Sequence, residues 1–135
     1  MTLKDLHGAV GVWKDIEETK KKIEQAEAAK SKITASYSLA PGGAGDGQRL
    51  AKAIETIYQY ELELVDKYTE LFQKKLDIQR FLRSVDDPII RLALQLKYDP
   101  EKELLSWLQV AVRIYGAGAS ADSIRMACKR YVESL

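Results

Sequence analysis

The side chains with the most legible chemistry stand near the C-terminal end. In ADSIRMACKRY, residues 121–131, they are Ser123, Arg125, Met126, Lys129 and Arg130, with Arg113 shortly before them. Four-residue spacing sets Arg125 and Lys129 one turn apart on a helix. A guanidinium is a planar fork that fits guanine O6 and N7, and a hydroxyl such as that of Ser123 bonds a base or a phosphate. Lys129, Arg130 and Arg113 suit phosphate oxygens. This is recognition chemistry. The chain has one cysteine, Cys128, and one histidine, His7. That is too few for a thiolate- or imidazole-rich metal site, and Ser-His-Asp catalysis would rest on a single polar N-terminal residue. Neither paired acids in a pocket context nor a nucleophile motif is visible. The reading is therefore not an enzyme, with no cofactor and no metal.

All of these cations except Arg113, which falls in the second, sit on the last of three short helical patterns in residues 86–135. Asp87 and Pro88 in DDPIIRLALQLKY suit an N-cap and a first helical turn. The spacing gives that helix an apolar face of Ile89, Leu92, Ala93 and Leu96. Ser106 caps a second pattern whose inward side is Trp107, Val110, Ala111 and Ile114, and Gly116 suits its end. Ser120 caps a third, with Ile124, Ala127, Cys128 and Tyr131 inward. Three such helices around one core are the skeleton of a helix-turn-helix unit, with residues 120–134 as the recognition helix. Cys128 reads as a small buried hydrophobe.

Upstream lies a different pattern. Residues 48–85 repeat Leu50, Ile57, Leu64, Leu71, Ile78 and Val85 every seven positions, with Ile54, Glu61, Tyr68, Lys75 and Leu82 as the alternate seam. This predicts a coiled-coil-like helix on the order of 55 Å long. A first helix over roughly 12–35 places Val12, Ile16, Thr19, Ile23, Ala26, Lys30 and Ile33 on one face, and Gly8 and Gly11 weaken its extension upstream. Its Lys20–Lys22 run and the glutamates around it form a solvated face with i,i+4 pairs. Between the two, SYSLAPGGAGDGQ, residues 36–48, is a glycine-rich connector. It lacks the Gly-Lys-Ser/Thr ending and preceding strand of a phosphate-binding loop.

The expected fold is all-α. A long antiparallel helical hairpin over 1–85 is followed by a small three-helix unit over 86–135. If the first helix starts near residue 12, Ile78 and Leu82 need cover, either from residues 1–11 or from a second chain. A homodimer through the long helix is the favoured answer.

The segment LSWLQVAVRIYGAGASADSIRMACKRYV resembles the C-terminal domain of small phage-encoded proteins whose helix-turn-helix is similar to sigma-factor region four. These are the late-gene transcription regulators of the ArpU and RinA type. Ser106, Trp107, Gln109, Val110 and Ala111 match the first motif helix. Asp122, Ser123, Ile124, Arg125, Lys129, Arg130 and Tyr131 match the recognition helix. The turn GAGASA is longer than the standard one. The resemblance implies a phage or prophage transcriptional regulator that binds double-stranded DNA, with host RNA polymerase as a possible partner. The same layout would also serve a small terminase-like packaging subunit or a protein-only coiled-coil adaptor.

The formal net charge is +1 over 135 residues, so any nucleic-acid site must be local or built by assembly. A single cysteine favours a reducing compartment, and no apolar run nears the length of a membrane span, so no membrane partner is expected. The resemblance implies that this compartment is the cytoplasm of a bacterial host.

Overall fold

The computed structural model describes residues 1–39 and 44–135. Among them are five α-helices and no strand: α1 (Leu3–Leu39), α2 (Ala44–Arg83), α3 (Pro88–Tyr98), α4 (Trp107–Tyr115) and α5 (Ala121–Glu133). The glycine-rich connector is shorter than expected, because helical backbone reaches Leu39 on one side and starts at Ala44 on the other. Pro41, Gly42 and Gly43 lie outside the described residues. The chain divides into two compact units, one of Trp13–Glu70 and one of Met1–Val12 with Leu71–Leu135.

The unit of residues 13–70 is a pair of helical segments. The ion pair of Lys67 with Asp15, 3.5 Å, and the Lys22 ammonium 5.8 Å from the centre of the Tyr60 ring run in opposite chain order, as an antiparallel pair requires. Ile16 and Thr19 are buried from α1 and Ile57 from α2. The Thr19 hydroxyl donates to the Asp15 carbonyl at 2.9 Å, which satisfies it inside the contact. Ile23, Ala26, Lys30 and Ile33 are half-buried on the same face, as their spacing predicts. The α2 seam differs from expectation. Ile57 is buried and Leu50 and Leu64 are half-buried, but Ile54, Glu61 and Tyr68 are exposed. Ala53, Tyr60 and Lys67 stand beside the seam instead. Both choices are helical neighbours of the heptad leucines, and the direction from which α1 approaches selects between them.

The other unit is built on one core. Residues 1–12 continue α1 through Gly8 and Gly11, and they bring Leu6 and Ala9 into one core with Ile78 and Leu82 of α2 and with Val85 just past its end. Thr2 starts the helix: its N–H and hydroxyl both donate to the Asp5 carboxylate, at 3.0 and 2.9 Å. Cover for Ile78 and Leu82 thus comes from within the chain, which removes the need for a second chain at that place. Leu94, Val110, Ile124 and Cys128 from the three short helices join the same core. A boundary between residues 85 and 86 would pass through it.

Strong local signals fix the short helices. Asp87 Oδ1 accepts from the N–H groups of Ile89 and Ile90 at 2.9 and 3.2 Å, with Pro88 in the first turn. Arg91 donates to the Val85 carbonyl at 2.9 Å and holds the α2–α3 corner. A full capping box opens α4: the Ser106 N–H donates to Gln109 Oε1 at 2.8 Å, and the Gln109 N–H donates to Ser106 Oγ at 3.2 Å. Gly116 ends α4 with φ 89° and ψ −173°, a backbone region open essentially to glycine alone. The face of α3 is rotated from expectation. Ala93, Leu94 and Tyr98 are buried, while Ile89 and Leu92 are exposed. PIIRLALQLKY is apolar at most positions, so its periodicity allows two faces. The one bearing the larger pair, Leu94 and Tyr98, packs inward.

Candidate nucleic-acid interface

α5 is amphipathic in the simplest sense. Ile124, Cys128 and Val132 repeat every four residues and are buried, which turns the rest of the helix outward. The Ser120 hydroxyl accepts from the Ser123 N–H at 3.3 Å and sets where the helix begins. α3, α4 and α5 each pack on the other two. The buried stripe therefore meets two helices, and the orientation of the outer face follows from it.

Each expected site residue can be placed. Ser123, Arg125, Lys129 and Arg130 are exposed on α5, and Met126 between them is half-buried. By helical phase they form two flanks, Arg125 with Lys129 on one and Ser123 with Arg130 on the other. Arg125 Nη2 bonds Asp122 Oδ1 at 3.4 Å across one turn. The pair is exposed, so it holds the guanidinium weakly and leaves it free to exchange partners. Arg113 stands apart from this set. It pairs with Glu103 at 3.8 Å and lines a different cavity, with Gln95, Asp99 and Glu101.

Arg125 and Lys129 have neighbours that periodicity did not reveal. Together with Leu3, His7, Tyr98 and Trp107 they line a hollow of about 380 Å³. Its floor is aromatic. The Tyr98 hydroxyl lies 3.2 Å from His7 Nε2, and Tyr98 meets Trp107 edge to face at 6.0 Å between ring centres. Burial pushes the Tyr98 phenol up to about 12, so it remains a neutral hydrogen-bonding group. The Lys97 ammonium caps Trp107 from 5.5 Å and donates to the Leu105 carbonyl at 2.8 Å. His7 lies more than a hundred residues from Arg125 in sequence, and no local pattern connects them.

The site presents two cations, Arg125 and Lys129, beside the aromatic side chains, and a third cation, Arg130, with the Ser123 hydroxyl on the opposite flank. Such a set has the chemistry to bind anions and planar acceptors. The one hydroxyl lining the hollow, that of Tyr98, lies beside His7 Nε2, and burial keeps its proton on. Cys128, one turn from the exposed face, points into the core, and burial pushes its thiol up to about 11. Among the described residues no group of three His, Cys, Asp or Glu side chains could hold a metal ion. No described helix is long and apolar enough to cross a membrane.

No family model matches the sequence, and neither a curated protein nor a solved structure is similar to it.

Proposed function

We propose that the protein is a sequence-specific DNA-binding transcriptional regulator of phage or prophage type that uses α5 as its recognition helix. The observation that carries this is the trio α3–α4–α5. Three short capped helices pack on one another, a glycine turn joins α4 to α5, and Ser123, Arg125, Lys129 and Arg130 line the exposed side of the last helix. The likeness of SWLQVA and ADSIRMACKRY to regulators with a region-four-like motif supports the same reading. In it, Arg125 releases Asp122 and reads a guanine edge, Ser123 bonds a base or phosphate, and Lys129 and Arg130 hold phosphates. Host RNA polymerase would be the regulatory partner.

The test is fluorescence anisotropy against DNA from the neighbourhood of its own gene at two salt concentrations. Preference for one fragment, with affinity that falls as salt rises, is the expected result. Arg125→Ala should cost about 1–3 kcal/mol on the preferred site and relax its sequence preference. Lys129→Ala should weaken all sequences alike and reduce the salt slope by about one. If the two variants act equally on specific and random DNA, Arg125 is not reading bases. Binding without preference would favour the packaging role.

One observation favours a second reading, a protein-only adaptor. The outer face of α4 exposes Leu108, Val112 and Tyr115, where a helix crossing a phosphate backbone would carry polar groups. An adaptor would show no DNA affinity even at low salt.

A further inference from the structure

α2 carries two apolar stripes, and α1 covers only one. The other is Ile54, Tyr58, Leu62, Val65 and Tyr68, and Phe72 continues the register. Each of these side chains is between 43% and 62% exposed. Steps of three and four residues set them on one face of the helix. Side chains of these sizes expose roughly 600 Å² per chain, as large as the biggest apolar patches that soluble monomers leave open. The outward side of α1 is different in kind. Among its described residues from 13 to 35, no large apolar side chain is exposed.

We infer that this stripe is the contact between two copies of the chain, packed α2 against α2 in antiparallel fashion about a twofold axis near residues 63–64. The stripe is self-complementary. A twofold contact requires that residue i meet residue j and j meet i. Reflection about that point returns the stripe to itself within one residue. Leu62 meets Val65, Tyr58 meets the Tyr68–Thr69 turn, and Ile54 with Glu55 meets Phe72. Any stripe built of three- and four-residue steps shares this property, so it permits the twofold contact, and charge and area carry the choice.

Charge selects the direction of the contact. With Leu62 and Val65 as the central pair of a heptad contact, Glu61 and Asp66 occupy the two flanking positions. A parallel pair sets Glu61 of each chain against Asp66 of the other, two like-charge contacts. It also stacks Glu55 on its own copy. The antiparallel pair sets Gln59 against Asp66, Glu55 near Gln73 and Glu61 near the Tyr68 hydroxyl. No acid then faces an acid. The Lys20 ammonium, 5.6 Å from the centre of the Tyr68 ring, steadies that ring from within its own chain.

Two copies would bury at most roughly 1,200 Å² through the stripe alone, which just reaches the lower bound for a specific stable interface. The contact goes beyond DNA recognition and stands independently of it. A twofold dimer that also binds DNA would require two half-sites in opposite orientation.

Light scattering after size exclusion tests the oligomer, and cross-linking tests the register. The wild type should run at twice the chain mass. Leu62→Glu with Val65→Glu should run at the chain mass, with helical circular dichroism unchanged. At 1.5 Å per residue the two Leu62 positions of the antiparallel pair lie roughly 5 Å apart along the axis, and the two Phe72 positions roughly 25 Å apart. With buried Cys128 left in place, a short bis-maleimide should therefore join chains carrying Leu62→Cys at least ten times faster than chains carrying Phe72→Cys. Equal rates would overturn the antiparallel register. A wild type that stays monomeric at all concentrations would overturn the dimer. A dimer that survives the double glutamate variant would move the contact elsewhere.

Discussion

Leu6→Ala tests whether the N-terminal turns belong to the C-terminal core. Leu6 is fully buried, and its neighbours in the core include Ile78 and Leu82 of α2 and Val85 just past its end. Truncation to alanine removes the isobutyl group beyond Cβ and leaves a cavity between two long helices, whose backbones are poorly able to collapse into it. Leu→Ala changes at such sites cost about 2–5 kcal/mol, and about 3 kcal/mol is expected here. Against a total stability of about 5–15 kcal/mol that is a large fraction. With a urea slope of about 1–3 kcal/mol per molar, the midpoint should fall by roughly 1–3 M. Trp107 fluorescence in a Trp13→Phe background reports the unfolding of α4 in this unit. Leu108→Ala, at a site 55% exposed, serves as the control and should cost less than about 0.5 kcal/mol. If Leu6→Ala moves the Trp107 transition no further than the control, residues 86–135 are self-sufficient and the shared core contributes nothing to them.

The glycines should respond with opposite signs. Gly116→Ala forces φ 89° and ψ −173° on a residue with a Cβ and should destabilise by about 1–3 kcal/mol. Gly11→Ala sits inside α1 with open space around the new methyl and should stabilise by about 0.5–1 kcal/mol, both read by urea unfolding. Cys128 gives an alkaline limit. Its thiol keeps its proton to about 11 in the folded chain against an ordinary 9.0. The unfolded chain therefore loses that proton first, and stability should be level below pH 9 and fall as pH rises from 9 to 11. Cys128→Ala should remove that part of the slope, and what remains above pH 10 would come from Tyr98, whose phenol shifts the same way. A thiol reagent at pH 8 should label Cys128 only as fast as the chain opens.

The interactions that sequence alone determined are local. Asp87 with Pro88, Ser106 with Gln109, and Ser120 cap three short helices through bonds that span two or three residues, so their chemistry is written in adjacent letters. The same holds for the inward stripes Ile124–Cys128 and Val110–Ala111, and for the outward turn of Ser123, Arg125, Lys129 and Arg130, since a helix repeats on a fixed period. Where a helix is apolar on more than one side, period gives no answer. α3 could bury Leu92 or Leu94, and α2 could place Ile54 or Ala53 beside its heptad leucines. Only the direction of the packing partner decided between them. Tertiary structure alone also decided that Leu6 and Ala9 cover Ile78 and Leu82, and that His7 and Tyr98 stand beside Arg125 and Lys129. Those contacts join residues from about 25 to more than 120 positions apart, and they arise because apolar surface left open by one helix is closed by whichever segment the chain's topology brings to it.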